Sequence, residues 1–221
     1  MSDDVTFANY AELAGRTDGD SLAYVDASLR AAKQMRLVHA ALGIASEFFE
    51  MEQEALRLAL PPHNLADDDF VKELGDCTWF LVLVCKHFDF DVDFYLTAAG
   101  NRASELAAIT LDAPAECNSG YEVVRVDLGN LNVGFETIVS AVKANLIYNR
   151  PYRVDQIQLA VIRSFVAMIR LNDRLTGRPF RDVLQVNIDK LRLRFPTKFT
   201  EDAANERADE KFGDLQKGDL V

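Results

Sequence analysis

Leu37-Val38-His39-Ala40-Ala41-Leu42-Gly43-Ile44-Ala45-Ser46-Glu47-Phe48-Phe49-Glu50-Met51 is the stretch on which the fold class turns. Leu37, Ala41, Ile44, Phe48, Met51 and Ala55 recur at the three-and-four spacing of a helix with one buried stripe. The pattern extends from Asp26 to Leu58 and stops before Pro61-Pro62, whose rings cannot continue it. On this stretch Glu47 and Glu50 stand three residues apart, a rotation of about 300°, so both lie on one face.

Outward from it, Asp67, Asp68 and Asp69 precede a second apolar segment that runs to Phe88, where acids can cap free N–H groups and meet the positive end of the helix dipole. Beyond Asp76 the segment is apolar almost all round, through Trp79, Phe80, Leu81, Val82, Leu83 and Val84, which predicts a helix central to a bundle. Glu73 and Asp76 repeat the three-residue spacing of the first pair.

Further helices are expected at Leu131 to Leu146, Val154 to Thr176 with Gly177 as the stop, and Phe180 to Leu193. Phe7 to Val25 reads as a short helix and a loop. Residues 89–125 read as an insertion or cap. In it, Asp89 to Phe94 alternates like a strand, Ala98 to Ile109 looks helical, and Pro114 to Gly120 looks like loop. Residues 201–221 read as a charged, partly disordered tail. The fold class is all-α, a single domain over 1–200, with no repeat evident.

With 221 residues and 49% hydrophobic content, the chain can bury a substantial core. Its formal charge of -11 argues against nucleic acid or an anionic membrane as partner. An acidic protein can still take an anionic ligand through a divalent cation, which reverses the local field. Cys77, Cys85 and Cys117 form no paired motif, so neither a disulfide framework nor a zinc site is expected, and a cytoplasmic location follows. No apolar run approaches the length of a membrane span.

Taken alone, most Glu-x-x-Glu pairs are solvated helix faces. Glu73 and Asp76 differ, because their helix is expected to be buried and an uncompensated buried carboxylate costs several kcal/mol. Lysine or arginine partners, protonation or a metal could compensate them, and a hard cation such as Mg²⁺ suits a set of oxygen ligands. A di-iron bundle would need Glu-x-x-His pairs, but Arg36, Leu60 and Val84 stand three residues before His39, His63 and His87.

The run from His39 to Glu50 followed by Glu73-Leu74-Gly75-Asp76 resembles the Glu-x-x-Glu then Glu-x-x-Asp signature of the MazG-like all-α nucleoside triphosphate pyrophosphohydrolases. Val142-Lys143 through Tyr148-Asn149-Arg150-Pro151 is similar to a helix-joining segment in phage and bacterial members. Asn187-Ile-Asp-Lys190-Leu-Arg-Leu-Arg194-Phe195-Pro196 is similar to their C-terminal Asn-x-x-Lys-Leu-x-x-Arg-Tyr-Pro stretch. The chain departs from the pattern at Phe48-Phe49, where relatives often carry a small residue before the second Glu.

The resemblance implies a four-helix-bundle core and hydrolysis of a nucleoside triphosphate, a deoxyribonucleotide in particular, to the monophosphate and pyrophosphate. It implies Mg²⁺, with Mn²⁺ as a substitute, held by Glu47, Glu50, Glu73 and Asp76, and water activated by Glu47 or Glu50. Lys143, Tyr148, Arg150, Asn187, Lys190 and Arg194 take substrate-binding positions, and His39, two turns before Glu47, is a candidate for base or ribose. A homodimer or homotetramer in a bacterial or phage-infected cytoplasm is the implied setting. The companion reading is a nucleotide-binding or regulatory helical module of the same fold without turnover.

Overall fold

The computed structural model describes residues 5–15, 26–61, 65–111 and 120–195, and these are helical with no strand. In chain order the helices are α1 (Phe7–Gly15), α2 (Asp26–Ala59), α3 (Asp68–His87), α4 (Val92–Leu111), α5 (Gly120–Tyr148), α6 (Val154–Leu175) and α7 (Phe180–Arg194). The all-α class is therefore as expected. The loop read at 16–25 and the tail at 201–221 lie outside the described residues.

The central position expected of α3 follows from its apolar girth. Phe70, Leu74, Cys77, Thr78 and the run from Leu81 to Cys85 are all buried, and α2, α7, α6, α1 and α4 pack around them. Cys77 and Cys85 are free thiols inside this core. None of the described helices is long and apolar enough to cross a membrane.

The packing is reciprocal. Helix α2 lies along α3 as α5 lies along α6; α2 and α5 face each other; α7 crosses onto α3 and α4 onto α6. The α2–α5 pair is antiparallel, since Gln34 donates to Asn145 at 2.9 Å near one end while the Phe48 and Phe135 rings meet at 5.8 Å further along. Between α5 and α6, buried Asp127 accepts from Arg170 at 2.8 Å and from Arg174 at 3.0 Å.

Three expectations need correction. The strand-like alternation of Asp89 to Phe94 is a helix exit and re-entry. Asp89 takes the left-handed conformation with φ 57°, and the Asp91 carboxylate accepts from the Phe94 N–H at 3.1 Å to start α4. The helix expected from Leu131 begins at Gly120, because Val124, Asp127 and Leu128 continue its buried stripe. Asp67, expected to cap α3, makes no side-chain cap bond. It and Asp68 accept instead from the Arg178 guanidinium, tying the start of α3 to the loop before α7.

Candidate metal centre

Glu47 on α2 and Glu73 and Asp76 on α3 come together because α2 lies along α3. Each contributes an oxygen to a group whose members lie within 4.8 Å of one another. All three are half-buried. Glu50 is exposed and stands outside that group, yet it is near enough for its charge to act on Glu47 and Glu73.

The crowding is visible in the acidities. Burial pushes the Glu73 carboxyl up to about 7, helped by the negative charge of Asp76 and opposed by Lys190. Glu47 is raised by the same cause first, burial, and then by Asp76 and Glu50. Acids perturbed in this sense are short of positive charge.

Part of that charge comes from α7. Lys190 donates its ammonium to Asp76 Oδ2, and Asn187 Nδ2 donates to Asp76 Oδ1 at 2.9 Å. Tyr10 of α1 donates its hydroxyl to Asn187 Oδ1 at 3.0 Å, which fixes which end of the amide faces Asp76. Burial, then the nearby Asp76 charge, hold the pKa of that phenol well above its ordinary value. Tyr10 thus belongs to the site, although no sequence motif marks it.

Two glycines set how closely these helices approach. A Cβ on Gly75 would lie 2.9 Å from the Asn187 Cβ, so the Leu74-Gly75 step is what admits α7 against α3. A Cβ on Gly43 would fall 2.2 Å from the Phe80 ring, so that ring fills the notch beside the cluster. The centroids of His39 and Phe80 are 5.3 Å apart and those of His39 and Trp79 are 6.1 Å apart, both edge-on. His39 is exposed on this aromatic patch.

The other expected donors are distributed unevenly. Arg194 is half-buried at the end of α7, one turn past Lys190. Lys143 is exposed on α5, a helix that packs on α2 and α6 rather than on α3 or α7. Tyr148 and Arg150 are exposed at the α5–α6 junction, where the guanidinium carbon lies 5.5 Å from the ring centroid and the Arg150 carbonyl accepts from Asn145 at 2.9 Å. Asn187 and Lys190 are therefore brought to the carboxylates, while Lys143, Tyr148 and Arg150 are set on a different pair of helices.

Comparison with protein-family models, curated proteins and solved structures gave no match for this chain.

Proposed function

We propose that the chain is a Mg²⁺-dependent nucleoside triphosphate pyrophosphohydrolase, with water attacking the α-phosphate to release the monophosphate and pyrophosphate. The observation that carries the reading is the convergence of Glu47, Glu73 and Asp76 beside Lys190. A donor set of carboxylate oxygens fits a hard divalent cation, and the raised pKa of both Glu47 and Glu73 marks carboxyls that gain from one. The resemblance of both acid pairs and of the Asn187 to Phe195 stretch supplies the named chemistry.

A divalent cation bound there would neutralise charge on the triphosphate as the α–β bond breaks. Glu47, Glu73 and Asp76 would hold it. Glu50, at the exposed rim, is placed to orient a water and take its proton on a carboxylate oxygen, with Glu47 as the other candidate. Asn187 and Lys190 fix Asp76 and offer N–H donors that a phosphate oxygen can accept. Arg194 extends that donor row along α7.

A second reading is a nucleotide-binding helical module without turnover. It is favoured by one observation, the Lys190–Asp76 pair, which already satisfies one carboxylate within the protein. Incubation with each common ribo- and deoxyribonucleoside triphosphate plus Mg²⁺ separates the two. Monophosphate and pyrophosphate support the enzyme; orthophosphate would mean a different phosphohydrolase, and no product with any nucleotide would leave the binding module.

A further inference from the structure

The reciprocal packing has a residue-level counterpart. Six buried positions of α2, Leu37, Ala40, Ala41, Ile44, Met51 and Ala55, recur at one constant spacing in α5 as Val124, Asp127, Leu128, Leu131, Ile138 and Val142. The same spacing carries Phe70, Leu74, Thr78 and Leu81 of α3 onto Ile157, Val161, Phe165 and Met168 of α6. After one added residue it carries Asp89 onto Gly177, both with positive φ. It then carries Val92, Leu96, Ala99 and Ala103 of α4 onto Phe180, Leu184, Asn187 and Leu191 of α7. Buried stripes on two helices can be matched by chance, because both follow the helical period. One register held across two helices, and across the third after a single added residue at the same left-handed exit, is far more specific.

We infer that α2–α3–α4 and α5–α6–α7 are two copies of one unit folded against each other, and that the carboxylate site is a composite of both, present once per chain. In this register Glu47 falls on Gly134, Glu50 on Thr137, Glu73 on Ala160 and Asp76 on Arg163, so the second copy lacks all four acids. Its site has closed. A Cβ on Gly134 would lie 2.2 Å from Ser164 Oγ and 3.0 Å from the Ala160 carbonyl oxygen, so α5 and α6 touch where Glu47 and Glu73 face each other.

The third helices have diverged in the opposite sense. Asn187 and Lys190 of the second copy reach across to Asp76. Their counterparts on α4 are Ala99, which has no donor, and Arg102, which pairs at 2.9 Å with Glu105 of its own helix at the surface. The first copy thus contributes acids and the second contributes donors. A second chain is not needed to supply α7, so the composite site forms within a monomer. Only the identity of the ligand rests on the pyrophosphohydrolase reading.

The test is Mn²⁺ binding to the full chain, followed by electron paramagnetic resonance, with the mass followed by sedimentation. Tight binding should persist at concentrations where the chain is a monomer. Lys190→Gln should tighten it several-fold by removing a competing ammonium, whereas Arg102→Gln should leave it unchanged. Gly134→Ala should lower the melting temperature without altering Mn²⁺ binding. A Glu73→Gln chain, which should not bind tightly, mixed with a Lys190→Gln chain should give no population of wild-type affinity.

A wild-type population in that mixture, or loss of binding on dilution to monomer, would put α7 on another chain and overturn the inference. So would a folded Gly134→Ala variant that no longer binds Mn²⁺. If the wild-type chain binds no Mn²⁺ at all, the pyrophosphohydrolase reading falls instead. The duplication is then decided by Gly134→Ala: a lowered melting temperature supports the closed second site, and an unaffected melting temperature overturns it.

Discussion

Lys190 donates its ammonium to one oxygen of Asp76 across the contact of α7 with α3, while Asn187, a turn earlier, holds the other oxygen. Asp76 is thereby the one acid of the cluster anchored from both sides. Glu73 and Glu47 carry the unmet demand for positive charge.

Glu73→Gln should separate function from stability. Loss of a metal-holding carboxylate should reduce turnover by about 100-fold or more, in the range seen when a group that organises transition-state charge is removed. The metal-free protein should melt higher than wild type, because a crowded acid has become neutral. Parallel steady-state kinetics and calorimetry in EDTA check both halves, and a lower melting temperature would contradict the crowding.

The raised pKa of Glu73 fixes a pH dependence. The folded state holds this proton up to about 7, against an ordinary 4.5, so folded chains bind more protons than unfolded ones between those values. Metal-free stability from this group is fully present below 4.5 and is lost as pH rises through 7. Glu47, shifted in the same direction, adds to the trend. Urea midpoints measured across that window should fall with pH in EDTA and fall less in Mg²⁺.

Gly75→Ala should cost about 1–3 kcal/mol, the usual penalty of overpacking, because its methyl meets the Asn187 Cβ. Gly129→Ala is the control. Nothing lies within 4 Å of that position, and the change should stabilise helix α5 by about 0.5–1 kcal/mol. Chemical denaturation of the two variants gives opposite signs if the close approach of α7 to α3 is as described.

Tyr10→Phe removes a buried hydrogen bond and leaves the Asn187 oxygen without its donor, at a cost of about 1–3 kcal/mol. Turnover should also fall, by less than in Glu73→Gln, since Asn187 loses the contact that orients it.

Asp127→Asn should destabilise by about 3–5 kcal/mol, because Arg170 and Arg174 would share a buried space without a countercharge. Nucleotide turnover below the melting transition should be unchanged. A loss of activity in the folded variant would mean that α5 and α6 do more than scaffold.

The helices were legible because the apolar spacing of α2, α3, α6 and α7 follows the helical period with clear stops at Pro61 and Gly177. Asp89 to Phe94 misled, since three acids alternating with three apolar residues match a strand period over a window too short for a helical one. The acid pairs were legible for the same reason of period: three residues on a helix is one face. What no spacing could reveal is which distant segment would meet them. Lys190 pairs with Asp76 over more than a hundred residues of chain, and Tyr10 reaches Asn187 from the other end of the sequence. The repeat is not legible in the sequence because the two copies share buried positions rather than residue types, as Thr78 against Phe165 and Ala99 against Asn187 illustrate.

The closed contact at Gly134 has a genetic consequence. In an assembly of identical chains every substitution is made twice, so a residue that improves one pocket must be tolerated in its twin. With both copies on one chain, Gly134 and Ala160 could collapse on one side while Glu47 and Glu73 stayed open on the other. Each half answers to its own selection: one side is tuned for chemistry and the other for rigidity, and a change on either is inherited singly.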